Sequence, residues 1–373
     1  MRISRRDLLQ RIGAGAAVAA AAPSFLEAAA DGVSGPLRLN RNGNPYGPAG
    51  GVIRAMEEAA RTLAGHFPDE EAQALRRKIA EVHRVEPDRV VLGCGSTEIL
   101  RMAVHAFGGP GKKILIARPT FDGIGRCAER AGSEVVAVPL THEHSHDVNG
   151  MIARADAAVG LVYICNPNNP TGTLTPRRDL DAFIRQLPRT AFILIDEAYH
   201  HYVGGSADYA SFIDRPVDDA RVIVTRTFSS IHGLAGLRIG YAITARETAE
   251  LLAAHRMPED VNVIAAVAAR AALADTAYVA MSASRNADTR QEFFNQANAR
   301  MVRAIDSQTN FVMLNTERSA RTIIDHFAKN DVLVAGSIPS FDKYIRVSLG
   351  TPAAMREFWR IWDLMPGGHK MSM

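Results

Sequence analysis

Seven short apolar runs rich in Val and Ile recur at 89–92, 113–117, 134–139, 160–164, 191–196, 221–226 and 238–243, and helical patterns such as 98–107, 123–131 and 177–187 separate most of them. A strand with one wet face would alternate apolar and polar residues, so nearly continuous apolar runs suit strands covered on both faces. Strands that alternate with helices are joined by crossovers, and the reading is α/β with a mostly parallel, seven-stranded sheet between helices. From Thr276 the texture changes to a long polar-faced helix, shorter strands at 310–315, 332–335 and 344–349, and a last helix from Pro352. That stretch reads as a smaller α+β domain. The expected divisions of the 373 residues are a leader over 1–30, a short segment over 31–49, a large domain over 50–275 and a small one over 276–373.

The leader rests on Ser4-Arg5-Arg6-Asp7-Leu8-Leu9, followed by an Ala/Gly-rich apolar stretch over 12–26. This pattern resembles a twin-arginine export signal. The stretch falls short of the ~20 residues a membrane span needs. The expectation is passage through the twin-arginine export machinery into a periplasm, with no membrane attachment in the mature form. Forty-three basic and 40 acidic residues are interspersed, for a net charge of +3, and no nucleic-acid partner is implied. Cys94, Cys127 and Cys165 are the only cysteines, and no two stand in a C-x-x-C spacing, so free thiols are expected.

The unusual residues cluster just past the ends of the expected strands, where parallel sheets bind ligands. Gly93-Cys94-Gly95-Ser96-Thr97 precedes a helix and is either an anion-holding loop or a tight turn. Asn166-Pro167-Asn168-Asn169-Pro170-Thr171-Gly172 reads locally as a Pro/Asn turn. Asp196-Glu197-Ala198-Tyr199 places an acid at a buried strand end, as a functional group or as a cap. Thr227 to Arg238 offers hydroxyls and an arginine for a second anion contact.

In that order and spacing, together with Gly233-Leu234-Ala235-Gly236-Leu237-Arg238-Ile239-Gly240-Tyr241, these motifs resemble the pyridoxal-phosphate aminotransferases of the aspartate aminotransferase fold, and within them the histidinol-phosphate aminotransferase branch. The resemblance runs from about Leu39 onward. It implies a pyridoxal 5'-phosphate cofactor, an amino acid and a 2-oxo acid as substrates, and a homodimer. It further implies that Asp196 pairs with the cofactor's ring nitrogen, that Asn169 and Tyr199 donate to its ring oxygen, and that Phe121 stacks on its face. Gly95, Ser96, Thr97, Thr227, Ser229 and Arg238 would hold its phosphate, and Phe67 takes the place of a tyrosine that reaches the partner subunit's cofactor. Asn44, Asn169 and Arg346 would bind substrate, Arg346 by a fork to the α-carboxylate.

Where the family has the lysine that bonds the cofactor and moves the substrate proton, this chain has Ser230. The six lysines are Lys78, Lys112, Lys113, Lys329, Lys343 and Lys370, and none lies between 113 and 329. Gly43 replaces an acid in Asn42-Gly43-Asn44-Pro45, and the 332–337 stretch lacks an arginine that commonly binds a substrate phosphate, which puts histidinol phosphate in doubt. Three readings follow: an aminotransferase, a protein that holds the cofactor or an amino-acid adduct without turnover, and lysine-independent chemistry with His232 as base. His232 is more readily loop packing. His142, His144 and His146 read as a solvated loop, with no metal expected.

Overall fold

The computed structural model describes residues 35–336, 338 and 340–365. The export signal read at 1–30 lies outside these residues, as do Ser337 and Lys370. The first strand, β1 (Leu37–Leu39), is followed by helices α1 (Gly50–Thr62) and α2 (Asp69–His83), neither of which the strand pattern had pointed to.

A run of alternating elements follows: β2 (Val90–Gly93), α3 (Ser96–Phe107), β3 (Lys113–Arg118), α4 (Gly123–Arg130), β4 (Glu134–Pro139), α5 (Val148–Arg154), β5 (Val159–Cys165), α6 (Arg177–Gln186), β6 (Phe192–Asp196), β7 (Val222–Thr227) and β8 (Gly240–Ile243). The seven strands form one sheet in the order β2-β8-β7-β6-β5-β3-β4. Strand β8 runs antiparallel to both of its neighbours, and all other pairings are parallel. Six strands therefore point one way, and their C-terminal ends share one edge. Both faces of the sheet are buried: Leu161, Tyr163 and Cys165 of β5 enter one apolar core, while Val162 and Ile164 enter the other. This alternation explains why the strands read as continuous apolar runs.

Helices α7 (Arg246–Ala253) and α8 (Val263–Ala274) complete this part. Helix α8 buries Ala265, Ala266, Ala268, Ala269 and Ala272, small side chains that join the same core as Val52 of α1 and Leu75 and Ile79 of α2. Asn262 caps it by accepting from the Ala265 N–H at 2.8 Å. Its strand-like β-branched start and Ala-rich body are why it escaped the periodicity reading.

The remainder comprises α9 (Thr276–Ala299), β9 (Phe311–Asn315), α10 (Ala320–Lys329), β10 (Val332–Val334), β11 (Tyr344–Ser348) and α11 (Pro352–Asp363). Helix α9 is the long polar-faced helix: Tyr278, Ser282, Asn286, Thr289, Phe293 and Ala297 form its single buried stripe. A third core, including Phe293, Phe327, Ile345 and Phe358, lies under β9 and β11, which pair antiparallel. Strand β1 pairs parallel with β10, and Leu39 packs into this third core. Residues 37–39 are thus a structural part of the C-terminal region. That placement carries residues 40–42 past Arg346, with consequences for the site.

Candidate active site

The loops after β2, β3, β5, β6 and β7 converge on a cleft of about 910 Å³ at the shared strand edge. Residues 40–42 and Arg346 from β11 form its remaining wall. Of the residues singled out from sequence, Ser96, Thr97, Phe121, Asn169, Asp196, Tyr199, Thr227, Ser229, Ser230, Arg238 and Arg346 all line it.

Asp196 ends β6 with its carboxylate buried. Its Oδ2 accepts from the Tyr163 hydroxyl at 2.9 Å, and its Oδ1 accepts from the Ala198 N–H at 3.1 Å. Burial raises its pKa, against the opposing pull of these donors. No basic side chain pairs with it among the described residues, so a cationic partner supplied by a ligand would relieve the desolvated charge. Three residues on, the Tyr199 hydroxyl oxygen accepts from Asn169 Nδ2 at 3.2 Å and from Asn42 Nδ2 at 3.1 Å. Its own proton is left to donate, and burial foremost pushes its pKa up to about 12, keeping the phenol protonated.

The anion cradle is built by backbone geometry. Gly95 sits at φ +76° immediately before α3, and a Cβ there would run into the Arg238 guanidinium. That guanidinium donates to Ser229 Oγ at 3.2 Å and the Ala235 carbonyl at 2.9 Å, and no carboxylate pairs with it among the described residues. Free N–H groups at a helix start, hydroxyls of Ser96, Thr97 and Thr227, and an arginine without a counter-charge are the donor set for a phosphate.

Arg346, half-buried, is the second cation without a counter-charge among the described residues. It donates to Asn169 Oδ1 at 2.7 Å and to the Asn40 carbonyl at 3.0 Å, while its Nε is buried with no partner. Burial lowers its pKa, and the guanidinium also faces the Phe311 ring at 5.3 Å. A planar cation held by neutral acceptors, with donor capacity to spare, is suited to a bidentate carboxylate.

Residues 34–360 match the family described as aminotransferase class I and II. The chain belongs to the class I and II aminotransferases. It is 34% identical over 330 residues to a histidinol-phosphate aminotransferase of Moorella thermoacetica, covering 88% of this chain and 85% of the relative. A crystal structure of a histidinol-phosphate aminotransferase from Sinorhizobium meliloti in complex with pyridoxal-5'-phosphate has a TM-score of 0.83 at 25% identity, covering 98% of this chain and 96% of that one. The corresponding Clostridium acetobutylicum enzyme has a TM-score of 0.79 at 26% identity, covering 87% and 97%.

Within this aminotransferase fold some expected residues stand elsewhere. Asn44 does not line the cleft: its Nδ2 donates to the Ile231 carbonyl at 2.9 Å and Ser282 Oγ at 3.0 Å, tying the 228–238 loop to α9. Asn42 is the amide that reaches Tyr199, and sequence reasoning missed it. Its backbone has φ +55°, its N–H donates to Ser348 Oγ at 2.8 Å, and that hydroxyl donates back to Asn42 Oδ1 at 2.9 Å. Both asparagines belong to one motif, and only the chain's turn at that point decides which faces the cleft. Phe67 is 77% exposed on this chain, away from the cleft residues.

Ser230 is buried and lines the cleft, whereas no lysine or histidine does so among the described residues. His232 is buried and does not line it, its ring 5.0 Å from Phe228 and 5.5 Å from His201. His146 is not solvated as its loop position suggested. It is buried, with Nδ1 2.8 Å from Thr175 Oγ1.

Beside the cleft strands, Arg226 and Glu197 form a buried pair at 3.1 Å, with Ser211 bonded to both. Four buried or half-buried histidines surround it. His83 meets the Tyr241 hydroxyl at 2.8 Å, His200 meets that of Tyr209 at 2.9 Å, and His201 and His232 meet each other. Burial first, then Arg226, lowers the pKa of His83 and His232 to about 4; burial, Arg226 and His83 lower that of His200 to about 3, and burial and its neighbours push His201 well below the ordinary value. Between the ordinary value of about 6.5 and these folded values the unfolded chain binds more protons than the native one, so stability falls as pH falls. We expect each fully shifted histidine to cost about 1 to 2 kcal/mol at pH 5 relative to neutral pH. Urea unfolding midpoints at pH 7.5 and pH 5 measure this, and His232→Gln should flatten the dependence. An unchanged midpoint would show these histidines to be accessible to protons in the native state.

Proposed function

We propose that this protein is a pyridoxal 5'-phosphate-dependent aminotransferase of the histidinol-phosphate or aromatic type, transferring an amino group between an amino acid or amine and a 2-oxo acid. Pyridoxal 5'-phosphate is its cofactor, and the residues present fit that group: Asp196 lacks a cation, Arg238 lacks an anion, and Tyr199 retains a proton to donate. The observation that carries the reading is Arg346, a half-buried arginine in the same cleft whose Nε is buried with no partner and which pairs with no carboxylate among the described residues.

Once bound, the cofactor supplies an electron sink that makes the substrate Cα–H acidic. Asp196 would hold a proton on the ring nitrogen, its carboxylate kept in place by Tyr163 and the Ala198 N–H. Tyr199 and Asn169 would donate to the ring oxygen, and Phe121 would cover one ring face. Ser96, Thr97, Thr227, Ser229 and Arg238 would bind the phosphate, with Gly95 leaving space for the guanidinium. Arg346 would orient the α-carboxylate, its angle set by Asn169 and the Asn40 carbonyl.

Ser230 is the position that limits catalysis. A serine hydroxyl stays protonated at neutral pH, so it neither bonds the cofactor as an amine does nor takes the Cα proton efficiently. The cofactor is therefore held by non-covalent contacts alone. We expect borohydride treatment of the native protein to leave none attached, and a phosphopyridoxyl peptide in its mass spectrum would overturn this. Ser230→Lys should fix the cofactor at position 230 under borohydride and raise transamination of an aromatic or imidazole amino acid by at least about a hundredfold, the lower end of what a placed proton-transfer group contributes. Fixation without a rate increase would favour the alternative of a protein that holds an amino-acid adduct without turnover. Arg346→Ala should weaken amino-acid binding by about 2 to 5 kcal/mol, read from the visible spectrum of the bound cofactor.

Export and assembly belong to the same proposal. Arg5 and Arg6 before a weakly apolar stretch support twin-arginine export to a periplasm. Replacing both with lysine should strand the precursor in the cytoplasm, and unchanged export would refute that route. An exposed Phe67 at a position where relatives place a cross-subunit tyrosine supports a homodimer. Sedimentation at micromolar concentration showing monomer alone would count against it.

A further inference from the structure

Two side-chain amides converge on the Tyr199 hydroxyl. A phenol oxygen can accept at its lone pairs and has one proton to give. Asn169 Nδ2 lies 3.2 Å from it and Asn42 Nδ2 3.1 Å. An amide can present either its oxygen or its NH2, and at both positions the neighbours decide which. Asn169 Oδ1 is 2.7 Å from the Arg346 guanidinium, which can only donate, so the Asn169 NH2 is turned to Tyr199. For Asn42 the decision falls to Ser348. Its Oγ accepts from the Asn42 backbone N–H at 2.8 Å and gives its own proton to Asn42 Oδ1 at 2.9 Å, which turns the Asn42 NH2 to Tyr199 as well. With both amides donating, the phenol proton is left for a third partner, and Tyr199 lines the cleft.

Asn42 is itself held firmly. Its backbone is left-handed, at φ +55°, a conformation that asparagine tolerates. The residue is buried, and its carbonyl accepts from Asn310 Nδ2 at 2.9 Å. Asn310 immediately precedes β9 and Ser348 ends β11, so the antiparallel pair in the C-terminal region sets where this amide points. Tyr199, by contrast, follows β6 of the seven-stranded sheet. Asn42 thus brings contacts from the C-terminal region to bear on a hydroxyl of the sheet's cleft edge.

We propose that Asn42 is a positioning residue: by occupying the acceptor side of Tyr199 it makes that phenol an obligate donor, so the cleft selects pyridoxal 5'-phosphate with its ring oxygen ionised. The proposal rests on the reading that Tyr199 faces the ring oxygen. A neutral ring hydroxyl would set proton against proton unless it turned away, whereas an oxyanion accepts at once. The resulting hydrogen bond is charge-assisted and is matched to about a tenfold change in affinity. Without Asn42 the Tyr199 oxygen regains an open acceptor position, and the demand for an anion weakens.

The test compares pyridoxal 5'-phosphate with 3-deoxypyridoxal 5'-phosphate, which lacks the ring oxygen, by equilibrium dialysis against the full-length protein, so no turnover is required. The native protein should prefer the first ligand by at least about tenfold. Asn42→Gly removes the amide and suits the left-handed backbone, while Asn42→Asp keeps its shape but accepts where Asn42 donates. Each should cut the preference by about tenfold. Tyr199→Phe should cut it too, and adding Asn42→Gly to Tyr199→Phe should change it less than about twofold, because Asn42 acts through that hydroxyl. Binding of the deoxy ligand at close to native strength shows that a variant is folded. If Asn42→Gly loses both ligands, Asn42→Asp decides. Equal losses for the two ligands in Asn42→Asp, an unchanged preference in either variant, or additive effects in the double variant overturn the proposal and leave the cofactor reading intact. If the native protein does not distinguish the two ligands, the reading of Tyr199 fails and the proposal falls with it.

Discussion

Two charged side chains without a counter-charge among the described residues organise this molecule's binding site. Asp196 is buried and Arg346 half-buried, and among the described residues both are satisfied only by neutral groups: a phenol and an amide N–H for the aspartate, an amide oxygen and a carbonyl for the arginine. Taking a lone charge out of water costs several kcal/mol, and those neutral partners offset only part of it. A folded chain carries such a cost where a ligand of opposite charge completes the site. Asn169 links Arg346 to Tyr199, accepting from the first and donating to the second, so one amide sets the relative placement of these two side chains.

The scaffold that tolerates this cost is the two-sided sheet. Because six of its strands run the same way, loops distant in sequence meet at one edge, and the cores on both faces hold the strand ends rigid. The buried Arg226–Glu197 pair serves a similar purpose one residue beyond Asp196, and Ser211 and the Phe212 N–H complete its hydrogen bonding. The neighbouring histidines keep this region free of additional charge only while they stay neutral. The same packing that positions the cleft lowers the pKa of the histidines beside it.

Ser230 lies within a cleft loop that is tied down at several points. The Thr227 hydroxyl accepts from the Ser229 N–H at 3.0 Å, the Arg238 guanidinium donates to Ser229, and Asn44 anchors the loop through the Ile231 carbonyl. Thr227, Ser229, Ser230 and Arg238 line the cleft together, and no lysine or histidine does so among the described residues.

Much of this was determined by local sequence. Continuous Val- and Ile-rich runs specify strands covered on both faces because only such strands avoid exposing apolar side chains to water, and Gly95, Asn169, Asp196 and Arg238 could be singled out because each follows a strand end within a distinctive motif. Helix α8 was not legible, since its Ala-rich surface gains stability only against α1 and α2. Nor was the choice between Asn42 and Asn44, two like amides in one segment whose directions depend on β1 pairing with β10. Whether His232 faces the cofactor or the core, and whether His146 is wet or dry, were likewise open. Those answers depend on contacts between residues far apart in the chain, and tertiary packing alone brings them within reach of one another.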